Sequence, residues 1–240
     1  MLQILNHIKM KIKTIIATGA VSLALVACVT NPITGRKSVQ IVGNDQLSAM
    51  GVQEYQTALS KAKVITNTTD ATRVKNVGIR IKNAATNYYK SIGREADLQG
   101  YNWEFNLLED KQLNAWCMPG GKVAFYTGIM PVCKDETGIA VVMGHEVSHA
   151  LAGHGNERIS QAMIAQYGGA IAGGVISNDK LQQVFKVAYP IGAQVALLKY
   201  GRSQELEADQ MGLYIMAMAG YDPRQSLPFW ERMEAQAANS

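Results

Sequence analysis

His145-Glu146-Val147-Ser148-His149 sets two imidazoles four residues apart. On an α-helix that spacing leaves them on one face, about 40° apart around the axis. Both can then reach one metal ion. Glu146 points to the side, where a metal-activated water can lose its proton to it. This H-E-x-x-H arrangement is the one by which zinc sites hydrolyse peptide bonds. The same residues also describe an amphipathic helix that merely holds two histidines, so the case turns on a third ligand.

Catalytic zinc usually takes three protein ligands and a water. His154 is the nearest candidate. In sites of the form H-E-x-x-H-x-x-G-x-x-H, a glycine ends the helix and the chain brings back a third histidine. Here those two positions hold Ala152 and Gly155. If the helix continues, His154 lies about 180° from His145 and faces away from the metal. Its role is then that of a polar residue near a helix end, where histidine suits the dipole.

The other source is Arg202-Ser203-Gln204-Glu205-Leu206-Glu207-Ala208-Asp209. Glu205 and Asp209 share a helical face, whereas Glu207 lies about 200° from Glu205, on the far side. Two carboxylates on one face of an otherwise apolar helix need a partner if buried. A zinc site supplies it: Glu205 binds the metal and Asp209 accepts the N–H of a ligating imidazole, which fixes the tautomer. The competing reading is a solvated acidic face paired with Arg202 and Lys199.

The elements that must carry these groups can be read from periodicity. From Asp135 onward the pattern is helical, and the first helix, to about His154, carries the motif. Ahead of it, Asn44-Asp45 caps a helix to about Ala62, and Thr69-Asp70 another to about Ile92. Tyr101 to Leu108 alternates and predicts a strand. Residues 113–117 and 122–127 flank Pro119-Gly120-Gly121 and predict a hairpin or bent edge strand. Glycines in 168–174 interrupt a later helix; without a following Lys-Ser/Thr or a preceding strand they indicate close helix packing, not a phosphate loop. Met163–Ile176 is too short and glycine-rich to span a bilayer. There is no internal repeat and no low-complexity segment.

The chain has 240 residues, 48% of them hydrophobic, which suits one globular domain with a real core. The first 27 residues stand apart. Lys9, Lys11 and Lys13 precede an apolar run from Thr14 to Ala27, and Leu25-Val26-Ala27-Cys28 follows the pattern of a bacterial lipoprotein signal peptide, with Met10 an alternative start. Cleavage before Cys28 and lipidation of Cys28 are expected, followed by a tether over 28–43 and a metallopeptidase domain over 44–240. An ordinary signal peptide with an incidental cysteine is the alternative. The leader holds three lysines and no acid, so its removal takes the net charge from +4 to +1 and leaves no case for nucleic acid. A diacyl anchor makes the domain peripheral to a membrane. By the lipoprotein-sorting pattern, Val29 in place of aspartate directs it to the outer membrane, facing the periplasm. Cys117 and Cys133 either pair in that oxidising compartment or are two buried thiols.

Taken together the residues resemble the gluzincin metallopeptidases named for the CAAX prenyl protease and the HtpX heat-shock protease, closest to the periplasmic lipoprotein and outer-membrane quality-control branch. The resemblance covers about residues 31–235. It rests on Asn114-Ala115 with Pro119-Gly120-Gly121, on His145-Glu146-x-x-His149, and on Glu205-x-x-Ala208-Asp209. It implies an α+β fold: a compact, mainly helical domain with a small sheet beside the motif helix. It implies one Zn2+ per chain held by His145, His149 and Glu205, with Glu146 as general base. It also implies that Asn114, Ala115, Gly120 and Gly121 border the cleft, where an edge strand holds the substrate backbone by strand addition. Two departures stand out. Gly201 replaces the usual serine before the arginine of the third-ligand segment. Many members also continue into a His-Pro-containing segment near the metal, whereas no histidine follows His154 here, as a truncated product would show.

The expected function is zinc-dependent cleavage of polypeptides, chiefly misfolded envelope proteins, with membrane attachment through the N-terminal lipid. The rival class is a periplasmic chaperone or assembly factor with a structural or silenced zinc site, binding clients along the open strand without cutting them.

Overall fold

The structure is a computed structural model that describes residues 28–172, 177–189 and 200–238. The expected signal peptide lies outside these residues. The α+β expectation holds: the described chain is mostly helical with a small sheet. Its contacts divide into two units, one from Met1–Val42 and Asn156–Ala188, the other from Gly43–Gly155 and Tyr189–Ser240.

The second unit carries the chemistry. In chain order its elements are α1 (Asn44–Lys61), β3 (Val64–Ile65), α2 (Thr69–Ser91), β4 (Glu104–Leu108), β5 (Ala115–Met118), β6 (Lys122–Tyr126), a short α3 (Met130–Cys133), α4 (Glu136–Leu151), α7 (Arg202–Met218) and α8 (Ser226–Ala238). The four strands form one sheet in the order β3-β4-β6-β5. β4 and β6 run parallel; the other pairs are antiparallel. β5 therefore stands at one edge.

Helix ends follow capping chemistry, with small shifts from the sequence expectation. The Thr68 side chain caps α2 by accepting from the Ala71 N–H at 3.2 Å, one residue before the expected cap. At α1 the cap is Gly43, and Asn44 is the first helical residue. Asp135, where the helical pattern begins, caps α4 by accepting from the Gly138 N–H at 3.0 Å, and Glu136 is the first helical residue. Tyr55 of α1 ties its helix to the sheet. Its hydroxyl donates to the Val123 carbonyl at 3.2 Å, and its ring meets Trp116 edge-on at 5.7 Å. On α4, Ile139, Ala140, Met143 and Val147 are all fully buried. α4 packs along α7, and also against α2 and β5.

The first unit holds β1 (Cys28–Thr30), β2 (Lys37–Val39), most of α5 (His154–Ala172) and α6 (Asn178–Ala188). The segment expected as a tether is thus partly structured. β1 and β2 pair antiparallel, with Cys28 opposite Val39. Arg36 makes a two-pronged ion pair with Glu157 at 3.0 and 2.7 Å. Asn156 donates to the Val42 carbonyl at 2.7 Å. The glycine-rich stretch enters the helix: α5 kinks at Tyr167 and runs on through Gly168 to Ala172. No helix among the described residues is long and apolar enough to cross a membrane.

Candidate metal centre

α4 presents His145 and His149 on one face, both buried. α7 brings Glu205 to them from its first turn, where the helix dipole favours a carboxylate. That start is fixed locally. Gly201 is the N-cap, and the Gln204 side chain reaches back to accept from the Gly201 N–H at 3.1 Å. The glycine that departs from the family pattern is thereby capped by its own downstream glutamine.

The two helices can cross closely because each offers a glycine. A Cβ on Gly212 would lie 3.0 Å from the His145 backbone nitrogen, and one on Gly144 would lie 3.0 Å from the Gly212 carbonyl oxygen. Backbone meets backbone, next to a candidate ligand.

His145, His149 and Glu205 each offer one donor atom within 4.8 Å of the others. The Nε2 atoms of the two histidines are 3.0 Å apart. Glu205 lies 3.6 Å from His145 Nε2 and 3.8 Å from His149 Nε2. Tetrahedral zinc with ligand bonds near 2.05 Å requires donors about 3.3 Å apart. The three distances bracket that value. Two imidazole nitrogens facing each other at 3.0 Å also repel unless a cation or a proton stands between them. The donor set therefore fits a zinc ion. Asp209, four residues on from Glu205, sets its Oδ1 2.8 Å from His145 Nδ1. Arg202 pairs with neither Glu205 nor Asp209, and Lys199 lies outside the described residues.

Electrostatics follow from burial and this cluster of acids. Burial opposes charge on His145, but the Asp209 hydrogen bond and the Glu146, Asp209 and Glu205 carboxylates outweigh it, and the imidazole pKa is raised. Burial pushes the Glu146 carboxyl up to about 7; His145 pulls it down and Glu205 pushes it further up. A carboxylate so poised takes and returns a proton near neutrality.

Aromatic rings hold the imidazoles. Tyr200 stacks on His149 at 4.0 Å, and Trp230 of α8 meets His145 edge-on at 5.5 Å. A pocket of about 240 Å³ opens beside His145, walled by Val141, Leu213, Met216, Leu227 and Trp230.

The remaining expected residues fall at the sheet edge. Asn114 directly precedes β5, and its side-chain nitrogen is buried without a hydrogen-bond partner. Ala115 opens β5. Tyr126 donates to the Asn114 carbonyl, so by strand alternation Ala115 and Cys117 direct their main-chain groups away from β6. Gly120 and Gly121 make the β5–β6 turn, with φ of 82° and 78°. Their carbonyls are occupied by the N–H groups of Asn102 and Glu104. Cys117 and Cys133 are free thiols, both buried. Cys28 is free and exposed.

Two residues escaped the helical-angle argument. His154 is fully buried, with its Nδ1 2.8 Å from His149 Nδ1. Its Nε2 lies 2.9 Å from Glu207 of α7, also buried. The angle assumed a continuous helix. In the structure α4 ends at Leu151, Gly153 takes a φ of 68°, and the chain turns back to place His154 behind His149. His154 is outside the metal-ligand cluster.

The model of peptidase family M48 matches residues 79–239, two thirds of the chain and all of the site just described. The chain belongs to peptidase family M48. Among similar proteins is the mitochondrial metalloendopeptidase OMA1 of Schizosaccharomyces pombe, 35% identical over 61% of this chain and 42% of that protein. The metalloprotease LoiP of Escherichia coli is 24% identical over 89% of this chain and 82% of its own length. A putative β-barrel assembly-enhancing protease of Vibrio cholerae is 29% identical over 54% of this chain and 28% of that protein. The chain thus spans less than half the length of the yeast and Vibrio relatives.

Proposed function

We propose that this chain is a zinc-dependent endopeptidase that cleaves misfolded proteins of the cell envelope. The observation that carries the reading is the convergence of His145 Nε2, His149 Nε2 and the Glu205 carboxylate at zinc-ligand spacing, beside Glu146. These three residues would hold one zinc ion. When bound, zinc supplies Lewis acidity, polarising the scissile carbonyl and acidifying water. Glu146 accepts the proton of the attacking water and returns it to the leaving amine. Asp209 keeps His145 oriented by accepting from its Nδ1–H.

Substrate backbone adds to β5. Ala115 and Cys117 offer the outward main-chain groups, with Asn114 directly ahead of the strand. Gly120 and Gly121 serve this indirectly, by shaping the turn that ends the strand.

Attachment to the envelope rests on Cys28. The basic-apolar leader, the small residues before the cysteine and its exposed position support cleavage there and acylation. The short β1–β2 hairpin then follows the anchor, ahead of the metallopeptidase domain beginning near residue 44. The name of the Vibrio relative agrees with an envelope role, and we assign the chain to the lipoprotein and quality-control branch, at the outer membrane.

Casein hydrolysis by Glu146→Gln tests the base: activity lost with zinc content kept is the expected result, and full activity rejects the role. Chelation separates cutting from holding. Hydrolysis lost with a chelator and restored by zinc supports the enzyme. Hydrolysis absent from zinc-loaded protein that still holds an unfolded outer-membrane protein supports the chaperone.

A further inference from the structure

His154 and Glu207 are charged or polar, buried, and directly behind a candidate ligand. We infer that they are positioning residues that set the tautomer of His149. The inference rests on the metallopeptidase reading for what the resulting bare nitrogen is for.

The argument is one of donors and acceptors. An ionised carboxylate only accepts, so at 2.9 Å Glu207 takes the Nε2–H of His154. A neutral imidazole with hydrogen on Nε2 has a bare Nδ1, which accepts. That Nδ1 lies 2.8 Å from His149 Nδ1, which must then be the donor. With its hydrogen on Nδ1, His149 leaves Nε2 bare and facing His145 Nε2. Reverse the chain and the result inverts: a His154 that donates from Nδ1 forces the hydrogen of His149 onto Nε2 and blocks the ligand position. The direction is set by Glu207 for a neutral His154; a doubly protonated His154 would donate from both nitrogens and leave the His149 Nδ1 bare, the result that overturns the inference.

Asp209 does the same for His145 in one step, at 2.8 Å. The two ligand histidines are thus matched by two carboxylates of one helix, with Glu205 as the third ligand beside them. Glu207 points away from Glu205 along α7, and the turn at Gly153 delivers His154 to it. The intervening imidazole spans the gap that a single carboxylate cannot.

The alternative is a buried polar pair that only stabilises the fold. Two measurements separate these. The first is the nitrogen-15 imidazole spectrum of metal-free wild-type protein. Hydrogen on Nδ1 of His149 is expected; a bare Nδ1 overturns the inference. This result does not depend on zinc uptake, so a wild-type protein that takes up no zinc sinks the peptidase reading while the spectrum still decides this one. The second is zinc affinity in a double variant, His154→Phe with Glu207→Met. Replacing both partners removes the carboxylate together with the imidazole it holds, and a melting curve on the metal-free variant checks that the fold is kept. Loss of the contact behind a ligating histidine should weaken zinc binding about 10- to 100-fold. A folded double variant with wild-type zinc affinity overturns the inference. Glu207→Gln serves if the double variant misfolds: a mixture of His149 tautomers is expected, and a spectrum identical to wild type counts against Glu207.

Discussion

Gly212→Val should cost the protein its metal before it costs the fold. A Cβ at 212 would lie 3.0 Å from the His145 nitrogen, 3.1 Å from the Gly144 carbonyl carbon and 3.3 Å from the His145 Cα. Ordinary contacts of this kind fall about half an ångström further out. All three neighbours are backbone, so no side chain can swing aside; α7 must move from α4 by several tenths of an ångström. The valine methyls enlarge that shift. Zinc sites tolerate ligand displacements of about 0.2 Å. Glu205 rides on α7 two turns from Gly212, while both histidines ride on α4. The displacement therefore falls between the third ligand and the other two. Overpacking of this kind costs about 1–3 kcal/mol, and each kcal/mol lowers Tm by about 2–4 °C in a domain of this size. Zinc competition against a chromophoric chelator, with a melting curve on metal-free protein, reads both effects. A variant with wild-type zinc affinity would show that the glycine crossing does not position Glu205.

Other outcomes follow from the site. Glu146 must be ionised to accept a proton, so activity should rise with pH through its pKa, which burial places at about 7 without metal; a bound cation draws it down, and the acidic limb of kcat/KM should fall below 7. An acidic limb retained unchanged in Glu146→Gln assigns it elsewhere. Asp209→Asn should weaken zinc binding about 10- to 100-fold, read by metal analysis after dialysis. Burial pushes the Cys133 thiol up to about 12 and raises Cys117 as well. In folded, unacylated protein, iodoacetamide should therefore label Cys28 alone, and all three only after denaturation; one label count by mass spectrometry decides it. Glu205→Ala should abolish zinc uptake, and unchanged stoichiometry removes it from the ligand set.

Local spacing was enough to bring most of the site together. Four-residue intervals on α4 and α7 put His145 with His149, and Glu205 with Asp209, because both pairs lie inside uninterrupted helix. His154 was misplaced because its position depends on a helix ending. The signal was Gly153, adjacent to His154, where a positive φ stops α4 and starts the return. The H-E-x-x-H-x-x-G spacing puts its glycine at 152, one residue earlier. Glu207 was set aside by an angle that was right; its partner was the residue misplaced. Tyr200 and Trp230 approach the ligands from separate stretches of chain, and no local pattern reports such tertiary contacts. The β1–β2 hairpin was missed for a similar reason. Its strands are three residues long, too short for alternation to register, and its hold comes from Asn156 and Glu157 more than a hundred residues away.

Glu205, Glu207 and Asp209 fall within five consecutive positions of α7, and each faces a different part of the histidine cluster. A slide of that one helix would break all three contacts at once. Metal loading and the seating of α7 are then a single equilibrium, not two. At a thousand times its dissociation constant, a bound ion adds about 4 kcal/mol to the seated state. The amides of α7 should exchange with solvent faster in chelated protein.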